Sequence, residues 1–312
     1  MEFTTCNLCG ERQNARLFTA PDLLLNRKNV QATFVRCASC GMIYQNPRPT
    51  IEEMQQHYPP EYESYLEIHN NHISWLMDQA INYGTVKRGR FIVKYKHSGR
   101  LLDVGCATGF FLNGMRSQGD WELHGVEINP YAAEIARDRY GLKVCTGTLI
   151  EAAYPAHFFD VITMWDVLEH LHHPLENLRE IERILKPDGL LVLRVPNVSS
   201  LDAKLFKRYW AGYDAPRHLY VFSPRTLEEL LRKAGFNPIN CSSHSGNYTT
   251  FLLSLRFWIN AHGYDPKSVN LLLRILYHPI MRICSAPIFY LRGLGLRGPQ
   301  IVVTAAKQTG QC

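Results

Sequence analysis

From Arg100 onward, short apolar runs alternate with amphipathic stretches of about a dozen residues, and this alternation restricts the fold more than any other feature of the 312-residue chain. Arg100-Leu-Leu-Asp-Val-Gly reads as a buried strand ending in glycine, with Phe110–Met115 as the helix that follows. Trp121–Ile128, Leu142–Cys145, Phe158–Trp165 and Leu190–Val195 read as further strands. Pro130–Tyr140, Pro174–Leu185 and Ser223–Ala234 read as helices, the last with Ser223 as cap and Pro224 at its first position. Strands separated by helices imply βαβ units, hence an α/β fold with a doubly wound, mostly parallel sheet.

Ligands of an open α/β sheet bind outside the carboxyl ends of its strands. The first strand ends Asp103-Val-Gly105-Cys-Ala-Thr-Gly109, where glycines let the backbone approach a ligand and the next helix offers free N–H groups. The second ends at Glu127, 24 positions after Asp103, a distance suited to an acid that accepts both hydrogen bonds of a ribose diol. A nucleoside-containing cofactor follows. A dinucleotide fingerprint starting at Gly105 needs glycines at 107 and 110, but Ala107 and Phe110 stand there, so pyrophosphate is poorly supported. Asp103 would repel a phosphate and favour a cation such as the amino group of a methionine moiety.

Four of nine cysteines form Cys6-x-x-Cys9 and Cys37-x-x-Cys40, each pair followed by glycine. Two such turns complete a tetrahedral thiolate shell, which predicts a zinc ribbon whose closed coordination is structural rather than chemical. The 27 residues between Cys9 and Cys37 require an inserted hairpin. Asn46-Pro47-Arg48-Pro49 forbids helix and closes this unit, and Thr50 caps a short helix expected to run to Tyr58, before Pro59-Pro60.

Net charge is +6, from 34 Lys and Arg against 28 Asp and Glu. From Tyr248 to the end, seven basic residues accompany Asp265 alone, an excess equal to that of the whole chain. A regional excess argues against a global nucleic-acid-binding field. The amino terminus lacks a secretory pattern, and no charge-free apolar run reaches the roughly 18–20 residues of a membrane span, so a cytoplasmic protein is expected.

Leu101-Leu-Asp-Val-Gly-Cys-Ala-Thr-Gly-Phe-Phe-Leu resembles motif I of class I S-adenosylmethionine (SAM)-dependent methyltransferases. Phe158-Phe-Asp-Val-Ile-Thr-Met-Trp-Asp-Val-Leu-Glu-His-Leu resembles their fourth-strand motif, and Leu185-Lys-Pro-Asp-Gly-Leu-Leu-Val the turn into strand five. The nearest likeness is to the ubiquinone-biosynthesis-like, type 23 group, including members whose zinc ribbon ends as Cys40–Pro49 does. The resemblance implies a Rossmann-like seven-stranded sheet, covers about residues 1–245, and adds a last strand at Gln300–Ala306. It implies that Asp103, Gly105 and Gly109 hold the methionine end of SAM and that Glu127 holds the ribose, with Ile128 against the adenine. Thr148-Leu149 stands where an acid often binds the adenine amine, and Trp165-Asp166 would close the site. The divisions expected are a ribbon (1–49), a helical bridge or lid (50–97), a SAM-binding core (98–247), a helical insertion (248–297) and a final strand and tail (298–312).

Methyl transfer is an in-line displacement at an activated carbon, so the protein chiefly aligns groups and excludes water. A hydroxyl nucleophile benefits from a general base, for which His170 and His218 are the candidates, His170 reading more readily as a packing residue. Tyr58, Tyr62 and Tyr65 suit either a substrate lid or one packed helix face. Two apolar stretches, Tyr248–Ile259 and Val269–Leu294, carry arginines every eight to ten residues. They suit either a cover over the core or contact with a membrane surface, with Pro279 and Pro287 expected to break any long helix. A small-molecule acceptor (sugar, quinone-like or lipid-linked) is favoured over RNA, which a modest basic surplus in residues 1–50 keeps as the alternative, and over a non-catalytic binding module.

Overall fold

The computed structural model describes residues 1–58, 75–243 and 247–308, so Tyr62 and Tyr65 lie outside the described residues. The chain begins with a hairpin, β1 (Asn14–Asp22) and β2 (Arg27–Cys37), followed by β3 (Ile43–Gln45). That hairpin takes up the long interval between the cysteine pairs. Thr50 and Glu53 form a capping box on α1 (Ile51–Met54), which tightens into a 3-10 turn at Gln55–His57. The α-helix is shorter than expected, because the proline that follows Tyr58 already disfavours helical backbone before it.

The second unit runs α2 (Trp75–Val93), β4 (Ser98–Val104), α3 (Phe110–Met115), β5 (Asp120–Glu127), α4 (Pro130–Tyr140), β6 (Lys143–Thr146) and β7 (Phe159–Trp165). It continues with α5 (Pro174–Ile184), β8 (Leu185–Pro196), α6 (Leu201–Phe206), β9 (Tyr220–Val221), α7 (Pro224–Lys233) and β10 (Phe236–Ser242). Last come α8 (Asn247–Ala261), α9 (Pro266–Leu276), α10 (Pro279–Arg292) and β11 (Gln300–Lys307).

Seven strands lie in the order β10-β11-β8-β7-β4-β5-β6. Only the β11 pairings are antiparallel, so the sheet is mostly parallel and Rossmann-like. Leu101, Leu102, Val161, Ile162, Met164 and Leu191 through Leu193 are fully buried, as strands covered on both faces require. Leu178 and Ile181 of α5 and Leu227 and Leu230 of α7 pack on one face; Phe111 and Leu112 of α3, with Ile92 and Ala136, pack on the other. The chain enters at β4, builds outward to β5 and β6, then returns to β7 on the other side of β4. Such a reversal opens a crevice at the carboxyl end of β4, where ligands bind.

The sequence reading also differs from the fold at β8, β9 and α10. β8 starts at Leu185 rather than Leu190, because the Lys-Pro-Asp-Gly turn leads directly into paired backbone. β9, two residues long and too short to show a periodicity, pairs with β3 and completes a second sheet, β1-β2-β3-β9. Pro279 separates α9 from α10, but Pro287 lies inside α10 instead of ending it. The carbonyl that loses its partner belongs to Ile283, on an exposed face open to solvent.

Candidate functional site

The turn leaving β4 is shaped for close backbone approach. Gly105 has φ +71° and a Cβ there would lie 2.6 Å from Val167, while Gly109 caps α3 at φ +79°. Asp103 is buried at the strand end and accepts a hydrogen bond from Thr163 Oγ1 at 2.5 Å. Burial pushes its carboxyl up to about 7. At the end of β5, Glu127 Oε2 accepts from the Ala107 N–H and Oε1 from the Asn129 N–H, both at 2.8 Å, so this carboxylate stands at the loop tip. Ile128, next in line, is 70% exposed at the crevice mouth.

At the third corner, Thr148 is exposed and Leu149 turns its side chain into the core, leaving only its backbone for a ligand. An acid does reach this corner. Glu151 Oε2 accepts from the Thr148 N–H at 2.7 Å and from its hydroxyl at 2.8 Å. The Thr148-x-x-Glu151 spacing of a capping box was the signal that would have found it. At the end of β7, Trp165 packs edge-on against Phe111 at 5.2 Å, and Asp166 accepts two hydrogen bonds from Arg194 Nε at 2.9 and 3.0 Å.

Two cations at this site escaped the sequence reading, Arg194 and Arg88. The Arg88 guanidinium lies 5.8 Å from the Trp165 ring centroid and acts electrostatically on Asp103. A lone arginine in a polar helix carries no motif, so nothing in the sequence singled it out. The crevice therefore combines a buried acid, a guanidinium, an acid at a loop tip and an exposed aliphatic side chain. These are complements to an ammonium, a carboxylate, a ribose diol and an adenine face, so the residues fit SAM. Asp103 supports the fit, since a carboxyl raised this far by burial is one that a cationic ligand would stabilise.

Beyond Trp165 and Asp166, three titratable groups converge. Glu169 is fully buried and neither carboxylate oxygen has a hydrogen-bond partner among the described residues; burial raises its carboxyl well above the usual range. His218 Nδ1 lies 2.9 Å from the Gly212 carbonyl, which fixes its proton there and leaves Nε2 free, 3.9 Å from Glu169 Oε1 and from Asp214 Oδ2. The His170 ring meets that of His218 edge-on at 4.5 Å, with its Nδ1 2.8 Å from the Tyr58 hydroxyl and 3.1 Å from the Arg217 carbonyl. Burial pulls His170 down to about 3.

The His218 loop is held from the amino-terminal sheet. Gln45 Nε2 of β3 donates to the carbonyls of Pro216 and His218 at 2.8 and 2.7 Å. Arg217, fully buried, forms two hydrogen bonds to Asp22 of β1 at 2.8 and 3.0 Å and two to Asp214 at 2.7 and 3.0 Å. In the same sheet unit, Cys6 Sγ lies 3.5 Å from Cys40 Sγ and Cys9 Sγ 3.5 Å from Cys37 Sγ, all four within 4.8 Å and none in a disulfide. Tetrahedral zinc with Zn–S bonds of about 2.3 Å needs S–S edges of roughly 3.8 Å, inside that span. Gly10 and Gly41, at φ +78° and +77°, turn each knuckle so that their N–H groups donate to the Cys6 and Cys37 carbonyls.

Residues 86–240 match the model of a family described as a methyltransferase domain. A ubiquinone biosynthesis O-methyltransferase of Cereibacter sphaeroides is 30% identical over 152 residues, 45% of this chain and 61% of the relative. One from Actinobacillus pleuropneumoniae serotype 5b is 29% identical over 175 residues, 52% and 74% of the two chains. The O-methyltransferase cnsE of Penicillium expansum is 28% identical over 149 residues, covering 45% and 52%. The chain thus spans about three-fifths of the first of these relatives. Among solved structures, the [4+2]-cyclase SpnF superposes with a TM-score of 0.56 at 19% identity, over 84% of this chain and 98% of that one. That likeness concerns the fold alone, which hosts more than one chemistry. The three motifs, the strand order and the domain match agree: through residues 86–240 the chain belongs to the class I SAM-dependent methyltransferases.

Proposed function

We propose that the protein methylates a hydroxyl of a small-molecule acceptor, a sugar, a quinone-like phenol or a lipid-linked compound. The relatives' names all specify transfer to oxygen. The observation that carries the reading is His218, its Nδ1 proton fixed on the Gly212 carbonyl and its Nε2 free beside the buried Glu169, just past the end of β7. Bound SAM supplies an electrophilic methyl carbon on a sulfonium. Asp103 and Arg88 hold the amino-acid end, Glu127 the ribose and Ile128 the adenine face, with Gly105, Gly109 and the Thr148-Leu149 backbone lining the crevice. Trp165 and the Arg194–Asp166 pair separate this crevice from the acceptor side and exclude water. His218 Nε2 takes the proton of the acceptor hydroxyl, whose oxygen would receive the methyl group that bound SAM would supply. Asp214, whose Oδ2 lies 3.9 Å from His218 Nε2, stabilises the resulting imidazolium, and His170 positions the His218 ring.

His218→Asn keeps a donor for the Gly212 carbonyl and removes the base. It should lower kcat by roughly a hundredfold to ten-thousandfold while the Kd for SAM stays unchanged. The measurement is transfer of isotopically labelled methyl to a panel of phenols, sugars and lipid-linked acceptors. Equal kcat for the variant and the wild type would remove His218 from the chemistry.

We also infer that Cys6, Cys9, Cys37 and Cys40 hold one structural zinc ion. Four thiolates leave no open coordination position, so the metal would brace the sheet that carries Gln45 and Asp22 and take no part in the transfer.

A further inference from the structure

The insertion between β10 and β11 presents a surface that the catalytic reading does not use. Its inner layer is fixed: α8 buries Leu252, Phe257 and Ile259, and α9 is fastened to it through Val269 and Leu273. Phe289 of α10 meets Tyr248 and Phe251 edge-on at 5.0 and 5.4 Å, Arg292 pairs with Asp202, and Asn247 donates to the Phe289 carbonyl at 2.7 Å. The outer layer is open. No described residue of α10 is buried, and Ile280, Ile283, Pro287 and Leu291 recur at the three- and four-residue steps that place them on one helix face. Ile283 is 71% exposed and Leu291 62%, and Leu271 and Ile275 of α9 extend the apolar surface. Contiguous apolar exposure of this kind marks an interaction site, whereas scattered single residues do not.

The charge beside this stripe decides what it meets. Arg274 of α9, Arg282 of α10 and Arg297 just beyond it are exposed, and Asp265 is the one acid between Tyr248 and Arg297. Lys87 of α2 adds to the field, its ammonium lowered by burial and by the neighbouring Arg282. No helix among the described residues is long and apolar enough to cross a membrane. A two-fold contact with a second copy would bring this basic rim against itself. We propose that the outer faces of α9 and α10 dock on an anionic lipid surface, with the apolar stripe entering the headgroup boundary and Arg274, Arg282 and Arg297 meeting lipid phosphates.

Cosedimentation of the full chain with vesicles tests this. Phosphatidylcholine vesicles containing roughly one part in three phosphatidylglycerol should pellet the protein, pure phosphatidylcholine should not, and added salt should release it. Replacing all three arginines by glutamine should weaken partition roughly a hundredfold, at about fivefold for each basic residue at the surface. Ile283→Glu combined with Leu291→Glu should abolish binding with the arginines intact, and unchanged SAM affinity in every variant would show that the fold persists. Equal binding to both vesicle types, binding to neither, or variants indistinguishable from wild type would overturn the proposal. So would a dimer in light scattering that Ile283→Glu converts to monomer without changing vesicle binding, because the face would then belong to a second copy.

Discussion

Arg217→Met should destabilise the protein by about 3–5 kcal/mol, measured as a lower urea midpoint, because it leaves two buried or nearly buried carboxylates without their shared cation. Asp22 and Asp214 both turn their carboxylates on this guanidinium, and Asp22, like Arg217, has no side-chain exposure. The effect should depend on pH in a definite sense. Burial alone would raise the Asp22 carboxyl, but the hydrogen bonds and charge of Arg217, helped by hydrogen bonds from the Leu25 N–H and from Arg27, more than offset it and hold the group below its ordinary value of 3.8. A carboxyl depressed in the folded state contributes stability above its unfolded value and loses that contribution as pH falls through the folded one. The difference between wild type and Arg217→Met should therefore be full at neutral pH and shrink in acid, below about pH 4. A constant difference across that range would show that packing, and not the ion pair, sets the cost. The same variant loosens the loop that carries His218, so kcat should fall further than the folded fraction does.

Glu127→Ala should weaken SAM binding by more than a hundredfold, about 3 kcal/mol or more, when measured by titration calorimetry. The carboxylate has two duties. It ties the Ala107 N–H of the β4 turn and the Asn129 N–H of the next helix, and in the proposed reading its remaining lone pairs accept from a ribose diol. Removing it therefore loses direct contacts and releases the loop tip, where Ala107 sits at φ +46°, a backbone region costly for any residue but glycine. Glu127→Gln keeps one acceptor oxygen and should bind between the two. Unchanged affinity in Glu127→Ala would place the nucleoside elsewhere on the sheet.

Much of this architecture is legible in the sequence because its signals are local. Apolar runs such as Leu101-Leu102 and Val161-Ile162 announce strands covered on both faces, and Ser223-Pro224 announces a helix start. Asp103 and Glu127 follow from their places at strand ends. What stays hidden is set by contacts between distant parts of the chain. β9 is two residues long and forms where β3 offers it a distant partner, Tyr44 standing opposite Tyr220 and Ile43 opposite Val221. Arg217 reads as an ordinary loop arginine until the fold brings Asp22 to it across 195 positions. Arg88 likewise gains meaning only from Trp165 and Asp103. His170 and His218 both stand near strand ends, and hydrogen bonds that no local pattern encodes separate them: Nδ1 of His170 meets the Tyr58 hydroxyl and the Arg217 carbonyl, and Nδ1 of His218 the Gly212 carbonyl.

Native mass spectrometry of the purified protein, before and after addition of SAM, tests the central claim most directly. The expected spectrum carries one zinc ion per chain and gains the mass of one SAM molecule, with the gain lost in Glu127→Ala and the zinc lost in Cys37→Ser. A chain that retains zinc and stays folded yet takes up no SAM at saturating concentration would contradict the assignment of the β4–β5 crevice as a cofactor site, and with it the methyl-transfer reading.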